Sequence, residues 1–364
     1  MPSLFLIVDA HQDIAWNMQT FGRDYTRTVA ETRRIEQDMD TPSHNDDTLL
    51  GWDGYQQGRV AVVFSTLFAA PMRKNEGHWD VNCYRDPAEA NKLYRGQVDL
   101  YKRLADEQAD KFRILYTRGE LNDHIKEWEH EADENPVGLI LLMEGAEAIL
   151  DTGELEEWWQ LGVRIIGLAW AGNQFCGGTN EPGPLTSDGY ALLDVMADLG
   201  FVLDLSHVDE TAVLQALDHY PGHIMAGHAN AAALLKGADS NRHLSDRMIQ
   251  GILSREGIIG VMPFNKFLLT GWEKGNDRKL VSLDRVIAQI DYICQMAGDA
   301  QHCGIGSDFD GGFGLQSVPE GIESIADLQK LAGMLTEKGY SEQDVADIFG
   351  KNWLKLLKKA LPEE

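Results

Sequence analysis

Eight short apolar runs, each followed by a segment with charged faces, leave this chain few architectures. The runs are LFLIVDA (4–10), RVAVVFSTLFA (59–69), VGLILLME (137–144), VRIIGLAW (163–170), FVLDLS (201–206), HIMAGHA (223–229), IIGVMPF (258–264) and CGIGSDF (303–309). Between them, segments such as 87–108, 188–199, 210–219, 245–255 and 282–297 carry helical patterns. Strand-like runs alternating with helical segments are the signature of a parallel sheet. Eight of them predict a (β/α)8 TIM barrel, although a doubly wound sheet is compatible with the same alternation. KFRILYT (111–117) is a ninth candidate, but the long polar stretch behind it makes it an outlying strand. The stretch 22–58 is polar with few strand signals, so an elaborate excursion after the first strand is expected. With no internal repeat, low-complexity tract or Pro-rich linker, residues 1–364 are read as one domain.

Charge narrows the partners. Asp and Glu number 58 against 32 Lys and Arg, a formal charge of −26. Such a surface repels phosphate backbones and anionic lipid, which argues against nucleic acid and membrane partners. No run approaches the length of a membrane span. MPSLFLIVDAHQD has no basic n-region and too short an apolar run for a signal segment. The four cysteines form no C-x-x-C pair and read as free thiols in a reducing compartment. A soluble, cytoplasmic chain is expected.

The ends of the apolar runs carry the chemistry. In VDAHQDIAW, His11 and Asp13 lie two residues apart, and side chains so spaced on a strand face the same way. Taken alone, the pair reads better as a core histidine and a helix-capping aspartate. The third run, however, ends in Glu144, the fifth in His207, the sixth in His228 and the eighth in Asp308. A parallel barrel gathers all C-terminal strand ends on one face, where active sites are built. Five ends of eight delivering a His, Asp or Glu are not explained by caps. Imidazole and carboxylate sets suit zinc, and a carboxylate can bridge two ions. Arg242, in NRHLSD, either precedes the cap Ser245 of the next helix or clamps a carboxylate. DFDGG opens like an EF-hand loop, but Gly312 and Pro319 fall where that loop needs ligands. GIGS lacks the third glycine of a dinucleotide fingerprint, and there is no P-loop and no G-x-S-x-G elbow. His44, His78, His124 and His130 lie in polar segments and are expected to be solvated.

Taken together, D-x-H-x-D on the first strand, EG on the third, DLSH, GH-x-N, an R-x-L-S-D helix start and GIGSDFDG resemble the membrane (renal) dipeptidase family. The match runs in order from about Asp9 to Gly312. The resemblance implies an amidohydrolase-like barrel and a binuclear zinc metallopeptidase acting on dipeptides, here in a soluble, bacterial-type form. It implies a first zinc on His11 and Asp13, a second on His207 and His228, and Glu144 bridging both. A hydroxide between the ions is then the nucleophile. Asp308 orients it and passes a proton to the leaving amine, and Arg242 grips the dipeptide's terminal carboxylate. One position departs from the pattern. Where some members carry L-T-H after the fourth strand, this chain reads GLAWAGN, placing Trp170 at the scissile carbonyl. An indole donates one N–H but carries no positive charge. Two rival readings follow: an amidohydrolase of the same fold acting on non-peptide amides or lactams, which Trp170 favours, and a metal-binding protein without turnover, which Asp308 disfavours. Besides the dipeptide, a second copy of the chain (a homodimer) is the partner left open.

Overall fold

Because each of the eight runs is apolar on both faces, it can form a strand only where helices cover one side and a packed interior the other. The structure, a computed structural model, describes residues 4–130, 134–238 and 240–363. In it the runs become β1 (Ile7–Gln12), β2 (Val60–Leu67), β4 (Val137–Met143), β5 (Val163–Gly167), β6 (Val202–Asp204), β7 (Ile224–Ala226), β8 (Ile258–Val261) and β9 (Cys303–Ile305). Every residue of all eight is buried.

The strands pair in parallel in the order β2-β1-β9-β8-β7-β6-β5-β4. β4 returns to β2 along its length, from Val62 opposite Gly138 to Leu67 opposite Met143. That last pairing closes a (β/α)8 barrel and removes the doubly wound alternative. β3 (Phe112–Ile114) lies outside it, pairing with the start of β4 through Phe112 opposite Val137. It is the outlying ninth strand that its polar sequel suggested.

The helices start where the side chains can satisfy free backbone amides. Pro87–Glu107 begins with Asp86 capping Glu89 N, and Arg118–Glu129 with a reciprocal Thr117–Glu120 capping box. Ser245 accepts from Met248 N at the start of Asp246–Ser254. Ser187–Leu199, Glu210–His219 and Asp284–Ala297 cover the remaining predicted segments. Among the described residues, no helix is long and apolar enough to cross a membrane.

The excursion between β1 and β2 is helical: Ile14–Phe21, Val29–Glu36, Thr41–Asn45 and Trp52–Gly58. It is fastened to the loop after β9 through Asp310, which is wholly buried. Arg23 Nη1 lies 3.1 Å from Asp310 Oδ2, and Tyr25 and Thr48 donate their hydroxyls to that oxygen. Leu49 N donates to Oδ1, while Asn17 and Asn45 donate to the Asp310 carbonyl. Arg23 in turn pairs with buried Glu36 at 2.9 Å. An ion pair so enclosed holds only because nearly every lone pair has a donor.

One expectation fails here. His124 is fully buried on the inner face of its helix, with Nε2 2.8 Å from the Ala61 carbonyl. A polar neighbourhood in sequence concealed the amphipathic face formed by Leu121, His124, Ile125 and Trp128.

Candidate metal centre

The C-terminal strand ends converge as the barrel requires. His11 is within β1, and Asp13 stands at the N-terminus of Ile14–Phe21 without making a cap bond. Its Oδ1 instead accepts from Thr66 Oγ1 on β2, while Oδ2 lies 3.9 Å from His11 Nε2. The capping reading of Asp13 is therefore set aside. Glu144, directly after β4, sits at the centre of the cluster. Its Oε2 is 3.4 Å from His11 Nε2, and its Oε1 is 3.2 Å from His207 Nε2 and 3.4 Å from His228 Nε2. The two oxygens of one carboxylate thus face two separate imidazole groups. The Nε2 atoms of His207 and His228 are themselves 2.9 Å apart.

Asp308 completes the ring from β9, with Oδ1 3.6 Å from His11 Nε2. His207, Asp308 and Asp310 all hold left-handed backbone, at φ 66°, 55° and 66°. Gly311 explains the glycine turn that follows. A Cβ there would come within 2.1 Å of Asp308 Oδ1 and 2.8 Å of Asp13 Oδ2. Both carboxylates can share the cluster because that side chain is missing.

Burial dominates the electrostatics. It pushes Glu144 and Asp308 well above the usual carboxylate range, and Asp13 up to about 7 with help from the Glu144 charge. It pushes His207 and His228 well below, and His11 down against the pull of Asp13. Neither ring nitrogen of fully buried His11 has a hydrogen-bond partner among the described residues. Three carboxylates and three imidazoles are crowded out of water, with the Arg242 guanidinium as the positive charge that bears on Glu144 and Asp308, fewer positive charges than carboxylates. Ring nitrogens and carboxylate oxygens fall into cation-sized groups, His11–Asp13–Glu144 and Glu144–His207–His228. The residues fit divalent ions with N and O ligands.

A cavity of about 910 Å³ opens onto this cluster. Arg242 is in its wall, 4% exposed, donating from Nη2 to the His228 carbonyl at 2.6 Å. Its Nε and Nη1 have no partner among the described residues. Trp170 also lines the cavity, its ring 5.9 Å from that of His207 and 5.3 Å from that of Phe68. With Trp16, Phe68, Trp79 and Phe21 it forms an apolar cluster separate from the barrel core. The residues missed in sequence include four with ionisable side chains. His44, expected to be solvated, stacks on Trp79 at 4.6 Å and lines the cavity. His243, beside Arg242, is buried in the cavity wall, where burial drives it down to about 4. Asp80 lines the cavity from the loop after β2. Asp204, the last residue of β6, groups with His11 and His228. The signal for Asp204 was an acid inside an apolar run; the other three had none.

The family model described as membrane dipeptidase (peptidase family M19) matches residues 3–362. The chain belongs to the membrane dipeptidase family. Membership makes it a metal-dependent peptidase that acts on dipeptides. An uncharacterized protein encoded in the pqqA 5′ region of Klebsiella pneumoniae is 28% identical over 75% of this chain and 97% of its own length. Dipeptidase tcpJ of Claviceps purpurea is 24% identical over 83% of this chain and 67% of its own. The fold is shared with a metallopeptidase of Rhodobacter sphaeroides, solved with a phosphinate mimic of L-Ala-D-Ala, at a TM-score of 0.77 and 22% identity. That alignment covers 98% of this chain and 100% of the other.

A further carboxylate near the centre, Glu147, yields a pH prediction. Glu147, in the turn after Glu144, is 2% exposed and accepts from Asn173 Nδ2 at 3.1 Å. Burial raises it from its ordinary 4.5 to about 7. Between those values the folded state binds more protons than the unfolded one, so stability falls as pH rises. The slope is at most about 1.4 kcal/mol per pH unit. At equal metal content, Glu147→Gln is expected to flatten the fall in Tm between pH 5 and pH 7. Equal slopes in both proteins would show that Glu147 is ionised throughout.

Proposed function

We propose that this dipeptidase works at a two-zinc centre, with His11 and Asp13 holding one ion, His207 and His228 the other, and Glu144 bridging them. The observation that carries the reading is the division of Glu144, one oxygen toward His11 and the other toward His207 and His228. When bound, such ions polarise a carbonyl and bring the pKa of water near neutrality. The remaining tasks belong to the chain. Arg242 receives the substrate's terminal carboxylate, which orients the scissile bond toward the centre. Asp308 takes a proton from the attacking water and returns it to the leaving amine. The whole chain acts as one domain, in the cytoplasm, as a homodimer or a single copy.

The test is elemental analysis of protein purified without chelator and supplied with zinc. About two ions per chain are expected, with lower occupancy in Glu144→Gln. Metal-free protein after that treatment would overturn the reading.

The aromatic wall sets the substrate preference. Trp170, Phe68, Trp16 and Trp79 lie ring against ring, at 5.3 Å for Trp170–Phe68 and 6.4 Å for both Trp16–Phe68 and Trp16–Trp79. A side chain beside the scissile bond gains most against such a wall if it is aromatic or apolar. Trp170→His is expected to shift activity toward small dipeptides, since one oxyanion donor is worth about 3 kcal/mol. A gain in kcat of about tenfold on a small dipeptide would bear this out. If the variant unfolds while the native enzyme already cleaves small dipeptides well, Trp170 serves packing alone.

A further inference from the structure

A histidine that binds a metal through one ring nitrogen is usually held in place through the other, by a carboxylate, a carbonyl or a hydroxyl. All three candidate ligand histidines turn Nε2 toward Glu144. For His207 the second partner is present, because Thr179 Oγ1 lies 2.9 Å from Nδ1. For His11 and His228 it is missing: both rings are fully buried, and neither Nδ1 has a partner among the described residues.

Asp204 stands beside both. A carboxylate oxygen of Asp204 and a ring nitrogen of each histidine lie within 4.8 Å of one another. The side chain is 2% exposed and clamped. Its Oδ1 accepts from Ser206 N and from Gly227 N, each at 2.9 Å, tying the end of β6 to the end of β7. Those are the strands that deliver His207 and His228. Among the described residues, Oδ2 accepts no hydrogen bond. A Cβ on Gly227 would stand 3.0 Å from Oδ2, so the glycine keeps this oxygen uncrowded.

We infer that Asp204 is the shared positioning residue of the metal centre. Resting on the two-metal reading above, its Oδ2 accepts Nδ1–H from both His11 and His228, one ligand from each ion. It thereby fixes the tautomer that leaves Nε2 free to bind. Because a single carboxylate serves both rings, its loss weakens both metal positions together.

Asp204→Asn separates this role from a structural one. Asparagine keeps an oxygen for the two backbone amides but presents an NH₂, a donor, where the imidazoles need an acceptor. Zinc affinity measured by competition with a chromophoric chelator is expected to fall about 10–100-fold at both positions, with the Tm of the metal-free protein unchanged. Wild-type affinity in Asp204→Asn would overturn the inference. A wild type that holds no zinc would instead bring down the metal reading, and this one with it. Should Asp204→Asn fail to fold, nitrogen NMR of zinc-loaded wild type labelled at histidine decides. Two exchange-protected Nδ1–H groups are expected at His11 and His228, and an unprotonated Nδ1 at either would overturn the assignment.

Discussion

Asp308→Asn is expected to lower kcat on dipeptides by about 10²–10⁴-fold while leaving the metal content nearly intact. The carboxylate lines the cavity beside the cluster, where burial and the charges of Asp13 and Glu144 raise it well above the usual range. Such a group holds a proton readily and can give it to a leaving amine, which asparagine cannot do. Asp310 cannot take its place. Asp310, two residues on, is fully buried, and its carboxylate accepts from Tyr25, Thr48 and Leu49 N and pairs with Arg23. Steady-state kinetics with metal analysis on the same samples checks the prediction. A variant as active as wild type would remove Asp308 from the proton path.

Arg242→Ala is expected to cost roughly 2–5 kcal/mol in kcat/KM on free dipeptides, tenfold for each 1.4 kcal/mol. Its guanidinium is buried in the cavity wall with Nε and Nη1 unpartnered among the described residues, an arrangement that wants an anion. Burial works against its charge, and Asp308 and Glu144 support it. Dipeptide amides, which lack the terminal carboxylate, should be poor substrates of the native enzyme and barely respond to the substitution. Because Nη2 also holds the His228 carbonyl, zinc content is measured alongside. Equal losses on acids and amides, or loss of metal, would make Arg242 a structural residue.

What the sequence made legible follows from where its constraints lie. Barrel strands are buried on both faces, so they stand out as unbroken apolar runs, and all eight were placed from that pattern alone. A metal centre must put charged or imidazole groups at the ends of those runs, which singled out His11, Glu144, His207, His228 and Asp308. Residues that reach the site from loops carry no such pattern. Trp16, Trp79 and His44 come together only through the helical excursion and the loop after β2. Asp204 was hidden differently. In FVLDLS it reads as part of a strand, and its partners are supplied by a strand that follows about twenty residues later. His124 failed for the converse reason: polar neighbours in sequence are not neighbours in space on a helix.

The left-handed backbone at His207, Asp308 and Asp310 has an evolutionary cost. An L-residue in that conformation gives up about 1–2 kcal/mol, although Asp and His tolerate it better than most. Glycine would relieve the strain at each position. A library of this chain screened for heat resistance alone would therefore be drawn toward glycine at positions 207 and 308, and its hardiest survivors would have shed an imidazole or a carboxylate from the cluster around Glu144. Survival of heating and turnover must be selected together, because at these two positions the backbone favours a residue that strips the cluster of a side chain.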